Sequence, residues 1–299
     1  MSKVNVLLSS YNGERYIRPL IDSVLHQYNT TIELLVRDDG SQDHTQQILK
    51  EYAEKGLLHW YAGPNLLPAR SFLQLLRDSS PEADYYAFAD QDDYWLPEKI
   101  SVATQALEKY REVPALYFCK TQLTDEHLKP ISSPALTPYL TFAESLVYEF
   151  IPGCTMVLNR KLRDIINCYK PDYLPMHDVW IYSVAQAIGA KVIFDPKPHI
   201  LYRQHGDNTI GQGQGEWHEW KRRYKRLIHQ EHSRSRRAIE LEKGYATEMP
   251  EANRLLLRHF ISGKKSIEQR IRLAIDSRYR CANKYTYRLF QLSVLLNIY

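Results

Sequence analysis

The sequence predicts an α/β fold, with a mostly parallel sheet flanked by helices and a helical C-terminal extension. Short apolar strands alternate with amphipathic helices over roughly the first two thirds of the chain, which is typical of βαβ units. Polar clusters follow three of these strands, at the edge where sheets of this kind bind their ligands. From Trp217 onward the apolar periodicity is helical, and no further strand is predicted.

The first part of the chain repeats one regular unit. Each repeat starts with an apolar run of strand length and continues with apolar residues at helical spacing, such as Ile17, Leu20 and Val24. Strands are predicted over residues 4–8, 32–36, 58–61 and 85–89, and helices over residues 16–28, 42–54, 71–77 and 98–110.

The pattern becomes less regular after a fifth predicted strand at residues 115–119. Residues 124–141 are rich in proline and lack a clear period, so we predict a loop that shapes an acceptor site. A bend then leads into a strand ending at Leu158, a helix is predicted over residues 179–188, and strand segments follow at 191–194 and 200–205. Four glycines in residues 206–215 predict a mobile loop.

Composition indicates a soluble globular protein with a substantial core, because 44% of the 299 residues are hydrophobic and 25% are charged. Four cysteines form no Cys-x-x-Cys pair, which argues against a zinc site and favours thiols in a reducing compartment. The N-terminal residues lack the apolar stretch of a signal peptide, and no segment has the roughly 20 apolar residues of a membrane span. We therefore expect a cytoplasmic protein.

Charge divides the chain into two predicted units. Residues 216–299 contain 19 lysines and arginines against 9 acidic residues, whereas residues 1–215 are net acidic. The apolar segment 289–299 follows these basic residues and predicts a helix on the cytoplasmic face of the inner membrane. The alternative is a terminal helix that packs on its own domain, or on a second subunit in a homodimer. The sequence therefore predicts a domain over 1–215 and a basic helical region over 216–299.

The strongest candidate for a site is the acidic run of Asp90, Asp92 and Asp93 after a buried strand. Crowded carboxylates repel one another unless a cation lies among them, and Mg²⁺ or Mn²⁺ prefers such oxygen ligands. Taken alone, the run is equally typical of a solvated turn before a helix. Two other strand ends carry the polar residues 11–13 and 38–39, and three such ends meeting at one crevice favour a binding site.

Two common phosphate-binding motifs are absent from the sequence, the Gly-x-Gly-x-x-Gly dinucleotide fingerprint and the P-loop. A metal held by acidic residues is a natural substitute for a glycine-rich phosphate cradle. A nucleotidyltransferase, which also uses metal and carboxylates, usually has a glycine-rich basic loop after its first strand, where this chain has Tyr11-Asn12-Gly13-Glu14. A nucleic-acid binder using the basic residues 221–226 and 234–237 is the alternative from another class. A solvated helical face is the ordinary explanation of those charges.

These motifs, in this order, resemble the inverting family 2 glycosyltransferases of the GT-A fold, over roughly residues 3–210. The resemblance depends on Ser10-Tyr11-Asn12-Gly13, Arg37-Asp38-Asp39-Gly40-Ser41, Asp90-Gln91-Asp92-Asp93-Tyr94-Trp95-Leu96-Pro97, His177-Asp178 and Tyr202-Arg203-Gln204-His205. The Asp-Gln-Asp-Asp form and the Tyr-Arg-Gln-His ending, closed by Asn208, are most similar to bacterial rhamnosyltransferases of O-antigen and capsule assembly. Leu67 and Ser71 depart from the family, which often has glycine and asparagine at these places.

The resemblance implies a role for each residue. Tyr11 and Asp39 would hold the pyrimidine base, Asp90 the ribose, and Asp92 the metal that bridges the diphosphate. His205 would lie by the diphosphate or the metal, or else be a packed histidine. The remaining donor-binding residues that it implies are Ser10, Asn12, Arg70 and Arg203, and for Arg70 an ordinary surface position competes with a phosphate or base contact.

The implied reaction is a single displacement with inversion, with Asp178 as the catalytic base and Mg²⁺ or Mn²⁺ as cofactor. The implied donor is dTDP-L-rhamnose, with a UDP-hexose as the alternative, and the acceptor is a glycan or lipid-linked glycan; nucleic acid is not an expected partner. From the residues alone, Asp178 is predicted to be the N-cap of the helix that follows it.

Overall fold

The computed structural model describes residues 1–132, 140–148, 151–205 and 232–299. Within these ranges, eight strands form one sheet in the order β3-β2-β1-β4-β7-β6-β8-β5. The strands are β1 (Ser2–Ser10), β2 (Thr30–Asp38), β3 (His59–Ala62), β4 (Tyr85–Asp90), β5 (Tyr94–Trp95), β6 (Ala115–Thr124), β7 (Val157–Asn159) and β8 (Lys191–Arg203).

Helices of the same ranges cover the sheet and continue into the C-terminal region. They are α1 (Ile17–Leu25), α2 (Thr45–Glu54), α3 (Leu67–Asp78), α4 (Lys99–Glu108), α5 (Phe142–Ser145), α6 (Arg160–Asn167), α7 (His177–Ala187), α8 (Ser233–Tyr245), α9 (Glu251–Ser262), α10 (Ile267–Ile275) and α11 (Lys284–Leu295). Short 3₁₀ turns span Gly153–Thr155 and Ser277–Tyr279.

Strand direction explains how the polar clusters come together. β3, β2, β1 and β4 are parallel, while the short β7 is antiparallel between β4 and β6. The register pairs Ser10 with Asp38 and Ser9 with Asp90, so the carboxyl ends of β1, β2 and β4 lie side by side. This is the edge at which the sequence predicts a site.

Alternate side chains of the strands enter two separate layers, as the two-residue period of a strand requires. On β1, Val4, Val6 and Leu8 contribute to a core with α1, α2 and α4, whereas Leu7 contributes to the opposite core with α3, α6 and α7. Because both faces are covered, these strands are nearly continuous apolar runs, and this is why the sequence pattern identifies them.

The C-terminal helices pack into the core that contains Leu7 and side chains of α3, α6 and α7. One cluster of buried side chains extends from Leu7 on β1 through Trp180 on α7 to Phe260 on α9 and Phe290 on α11. The predicted boundary after residue 215 lies outside the described residues, as do the glycine-rich loop at 206–215 and the basic run at 221–226, so these stay predictions. No helix of the described ranges is long and apolar enough to cross a membrane.

Several elements differ from the sequence-based prediction, and the four-residue α5 is one that was not predicted. β5 has two residues, too few for any periodic signal. β8 is one strand rather than two segments, because its pairing with β6 shifts register where the chain passes Pro196 and Pro198. α6 was not predicted, because this helix of eight residues has only three apolar side chains, Leu162, Ile165 and Ile166. Its N-cap is Asn159, whose side chain accepts the Leu162 N–H.

Candidate active site

Gln91 joins the acidic turn to the loop after β1. Its Nε2 donates to the Tyr11 carbonyl at 3.0 Å, and its Oε1 accepts the Tyr11 N–H at 2.9 Å. A Cβ at Gly13 would lie 2.4 Å from this Oε1, so glycine at that position is what admits the Gln91 side chain. Gln91 was not predicted as a site residue, and its position between Asp90 and Asp92 was the available signal.

The loop after β1 is also tied to the loop after β2. The Asn12 N–H donates to Ser41 Oγ at 2.9 Å, and Asn12 Oδ1 accepts the Gln42 N–H at 2.8 Å. Asn12 adopts a positive φ of 48°, which asparagine tolerates better than most residues. The Tyr11 side chain is 47% exposed and remains accessible to a ligand.

Asp38 and Asp39 have different surroundings. Asp38 is fully buried and accepts hydrogen bonds from the Ser10 hydroxyl at 3.1 Å and from the Ser41 N–H at 2.9 Å. Ser10 thus supports Asp38 with its side chain. Asp39, the first residue after β2, is also buried, and its carboxylate pairs with Arg37 at 2.9 Å.

The loop that departs from the family pattern is built around Asp39. Asp39 Oδ2 accepts the Leu66 N–H at 2.9 Å, and Oδ1 accepts the Ser71 hydroxyl at 3.0 Å. Leu67 adopts a φ of 63°, a left-handed conformation that favours glycine. Ser71 supplies a polar contact to Asp39 from the first turns of α3.

Arg70, on the first turn of α3, was predicted to contact the donor. It is exposed, and its Nη2 donates to the Asp172 carbonyl at 3.0 Å. The structure thus places Arg70 against the segment that precedes Asp178, and a donor contact stays a prediction.

The acidic turn has a buried side and an accessible side. On the buried side, ligand atoms of Asp90, Asp93 and Cys154 lie within 4.8 Å of one another. Burial, together with the charges of Asp92 and Asp178, raises the pKa of Asp90 to about 7. Burial also raises the pKa of Asp93 well above its ordinary value, with Asp92 and Asp90 adding to it.

A buried lysine lies under this turn. Burial lowers the pKa of Lys99 to about 8, and its Nζ lies 3.4 Å from the centroid of the Trp95 ring. An ammonium over an aromatic face is stabilised by the ring quadrupole, which offsets part of the cost of burying it.

On the accessible side, Asp92 and His205 are in direct contact. His205 Nε2 lies 2.8 Å from Asp92 Oδ2, and both side chains retain some exposure. The ring of Tyr16 packs against His205 with centroids 4.9 Å apart. Tyr16 was not predicted, because a tyrosine at a helix start carries no signal of its own.

Arg203 supports the acidic turn through hydrogen bonds to Asp92 and Asp93. Its Nε donates to the Asp92 carbonyl at 2.8 Å, its backbone N–H donates to Asp93 Oδ1 at 3.3 Å, and its guanidinium stacks over Tyr16 at 4.6 Å. Arg203 was predicted to bind the donor. The structure shows it supporting Asp92, and a donor contact stays a prediction.

The residues of this edge fit a hard divalent cation. Asp92 and His205 offer one carboxylate and one imidazole, a set that leaves positions for phosphate oxygens and water. The Asp90, Asp93 and Cys154 cluster fits less well, because Asp93 and Cys154 are almost fully buried and a thiol is a soft ligand. Asp92 and His205 are therefore the better candidates to hold Mg²⁺ or Mn²⁺.

Asp178 lies in the first turn of α7, close enough to Asp90 to raise its pKa. The prediction that Asp178 is the N-cap was wrong. The cap position belongs to Met176, and Asp178 Oδ1 accepts the N–H of Val179 at 2.7 Å. The helix begins two residues earlier than predicted, and an acidic side chain in a first turn is favoured by the helix dipole.

His177 and Gly153 fix the position of Asp178. A Cβ at Gly153 would lie 2.6 Å from His177 Nε2 and 3.2 Å from the Asp178 Cβ. The His177 ring stacks against Phe72, with centroids 4.1 Å apart, and neither ring nitrogen has a hydrogen-bond partner among the described residues. Burial lowers the pKa of His177 to about 3.

Comparisons with known proteins identify the family. The family model described as Glycosyl transferase family 2 matches residues 5–166, more than half of the chain. The dTDP-rhamnosyl transferase RfbG of Shigella flexneri is 29% identical over 242 residues, covering 74% of this chain and 78% of the relative. An uncharacterized glycosyltransferase of Rickettsia typhi is 25% identical over 240 residues, covering 76% of this chain and 73% of the relative.

Solved structures show the same fold. S. aureus TarS 1–349 in complex with UDP-GlcNAc has a TM-score of 0.60 at 16% identity, covering 98% of this chain and 81% of that one. The mannosyltransferase PcManGT from Pyrobaculum calidifontis, in complex with GDP-Man and Mn²⁺, has a TM-score of 0.51 at 15% identity. The match covers 99% of this chain and 80% of that one. These likenesses confirm the predicted GT-A type α/β fold with its mostly parallel sheet.

Proposed function

The chain belongs to glycosyl transferase family 2, and we propose that it transfers L-rhamnose from dTDP-L-rhamnose, with inversion, to a hydroxyl of a growing bacterial surface polysaccharide such as O-antigen or capsule. The observation that carries this proposal is the contact of Asp92 with His205 at the edge of the sheet where Asp90 and Asp178 also lie. The choice of donor is supported by the similarity to a dTDP-rhamnosyl transferase. A UDP-hexose is the second candidate donor.

The nucleotide would bind along the carboxyl ends of β1, β2 and β4. The exposed ring of Tyr11 would stack on the pyrimidine base, and Asp39 would accept the N–H of that base. Asp90 would lie by the ribose, and Asn12 would line the entrance. Ser10, Arg70 and Arg203 would add contacts to the donor, and Ser10 and Arg203 also support Asp38 and Asp92.

In the reaction, the acceptor oxygen forms a bond to the anomeric carbon as the bond from that carbon to the diphosphate oxygen breaks. Asp178 takes the proton of the acceptor hydroxyl, and the electron pair of the broken bond leaves with the nucleoside diphosphate. A bound Mg²⁺ or Mn²⁺, held by Asp92 and His205, would supply positive charge to the diphosphate.

The site is expected to work on the cytoplasmic face of the inner membrane with a lipid-linked acceptor. The support is a group of exposed apolar side chains at the end of α11, namely Leu292, Leu295 and the C-cap residue Leu296. Basic residues of the same helix, such as Lys284 and Arg288, are exposed as well. Such a surface can bind an anionic leaflet. A second subunit in a homodimer would cover the same surface.

A donor screen tests the proposal. Release of nucleoside diphosphate is measured for dTDP-L-rhamnose and for UDP-hexoses, with Mn²⁺, with Mg²⁺ and with excess chelator. We expect metal-dependent release from dTDP-L-rhamnose, loss of this release in Asp92→Ala, and no loss in Asp164→Ala, which removes an exposed carboxylate on α6. Release from UDP-hexoses alone would establish the second candidate donor, and full activity of Asp92→Ala or of chelated enzyme would contradict the metal assignment.

A further inference from the structure

The segment between α6 and α7 leads directly into the first turn that carries Asp178, and the C-terminal region holds it. Glu240 on α8 reaches this segment with one carboxylate oxygen. Its Oε2 accepts the Asp172 N–H at 2.8 Å and the Tyr169 hydroxyl at 3.0 Å. The Asp172 carbonyl accepts a hydrogen bond from Arg70 of α3, so the backbone of this residue is held from both sides.

Glu240 is a buried charge rather than a surface one. It is only 4% exposed, and its second oxygen, Oε1, accepts a hydrogen bond from Lys243 at 3.1 Å. Burial would raise the pKa of Glu240, but hydrogen bonds from the Asp172 N–H, Lys243 and Tyr169 hold it below its ordinary value. Both hydrogen bonds of Oε2 reach this one segment, and they restrict it strongly, because breaking them would leave a buried charge poorly compensated.

Other residues of the C-terminal region contact this segment and α7 itself. A Cβ at Gly244 would lie 2.5 Å from the Tyr169 ring, so a glycine allows Tyr169 to pack closely against α8. At the far end of α7, Asn253 Nδ2 donates to the carbonyls of Gln186 and Ala187 at 3.0 and 2.9 Å. Asn253 thus adds a side-chain hydrogen bond to each of the last two carbonyls of α7, where the partners within a helix run out.

We propose that Glu240 is a positioning residue for Asp178, acting through residues 168–176 and the start of α7. This inference builds on the proposed role of Asp178 as the base. The C-terminal region then belongs to the catalytic unit, since it fixes the helix from which the base extends. Misplacing a catalytic group by about 1 Å can reduce the rate by about 10²-fold, so a restraint of this kind has a large effect on turnover.

The test compares Glu240→Ala with Glu240→Gln. Glutamine keeps an oxygen that can accept the two hydrogen bonds now accepted by Oε2. Alanine has no acceptor there, so both hydrogen bonds are lost. Three measurements are made on the full chain: release of dTDP from dTDP-L-rhamnose with water as acceptor, the Kd of dTDP, and hydrogen exchange of the amides in residues 168–176. We expect Glu240→Ala to lower the turnover by about 10–10²-fold, with an unchanged Kd and faster exchange confined to this segment. Glu240→Gln is expected to stay near wild type.

A double variant separates positioning from a general loss of stability. If Glu240 acts through Asp178, adding Glu240→Ala to Asp178→Asn produces no further loss of turnover. Wild-type turnover in Glu240→Ala, or an equal loss in the Asp178→Asn background, would overturn the inference. If the wild-type protein turned over no nucleotide sugar, the proposed function would fail instead, and the exchange measurement would still show whether Glu240 orders the segment.

Discussion

Replacing His177 by leucine should make the protein more resistant to acid. The imidazole is 3% exposed, lies between Phe72 and Phe88, and has no hydrogen-bond partner for either nitrogen in the described part of the chain. The folded protein therefore holds it neutral, with a pKa lowered by burial from 6.5 to about 3. Leucine is apolar, of similar volume, and cannot be protonated.

The magnitude follows from linkage between protonation and folding. In the unfolded chain the imidazole binds a proton as the pH falls through about 6.5, while the folded protein does not bind it until about pH 3. The unfolded state is thus stabilised across this window, and folding stability is lost as the pH falls. From about pH 8 to about pH 5, the cost attributable to His177 is about 2 kcal/mol of unfolding free energy.

Urea unfolding at both pH values measures this cost. The wild-type unfolding free energy should fall by about 2 kcal/mol more than that of His177→Leu over the interval. His59→Leu, at an exposed position on β3, is the control for loss of an imidazole. The comparison uses the change with pH in each protein, so any constant effect of leucine on packing cancels. An equal fall in the wild type and in His177→Leu would refute the reasoning.

Three further predictions concern the site and its surroundings. Asp178→Asn should keep near-native thermal stability and donor affinity while transfer falls by at least about 10²-fold, because the amide is a poor base; near-native turnover would show that Asp178 has only a structural role. Gly13→Ala should weaken dTDP binding measured by calorimetry, because the Cβ of the alanine would displace Gln91 and release the acidic turn from Tyr11. An unchanged Kd for dTDP would mean that the contact between Gln91 and Tyr11 is dispensable. Replacing Leu292 with serine should reduce flotation of the protein with anionic vesicles; a wild-type protein that does not float would exclude membrane binding through α11.

The sequence was sufficient to predict most of the sheet and the location of the site. Strands such as β1 and β4 are buried on both faces, so their apolar runs stand out, and the polar residues that follow them mark the carboxyl edge. Asp92 and His205, far apart in sequence, were predicted through the family resemblance, and their contact follows from where β4 and β8 end.

The residues that the sequence did not reveal act through long-range contacts. Gln91 and Tyr16 are ordinary residue types whose roles appear only when two loops meet. Glu240 lies among many charged residues of a basic region, and nothing local distinguishes a buried carboxylate from a solvated one. The start of α7 was misplaced because Asp178 is acceptable both as a cap and in a first turn, so local preference could not decide.

The shared core of α7 and the C-terminal helices limits how enzymes of this kind can be recombined. Trp180 of α7 packs with Tyr245 of α8, and the same cluster of buried apolar side chains includes Phe260 and Phe290. A chimera that exchanged residues 232–299 for those of a relative would leave mismatched aromatic side chains against α7. Redesign of acceptor preference should therefore exchange α7 together with the C-terminal helices that share its core, as one block.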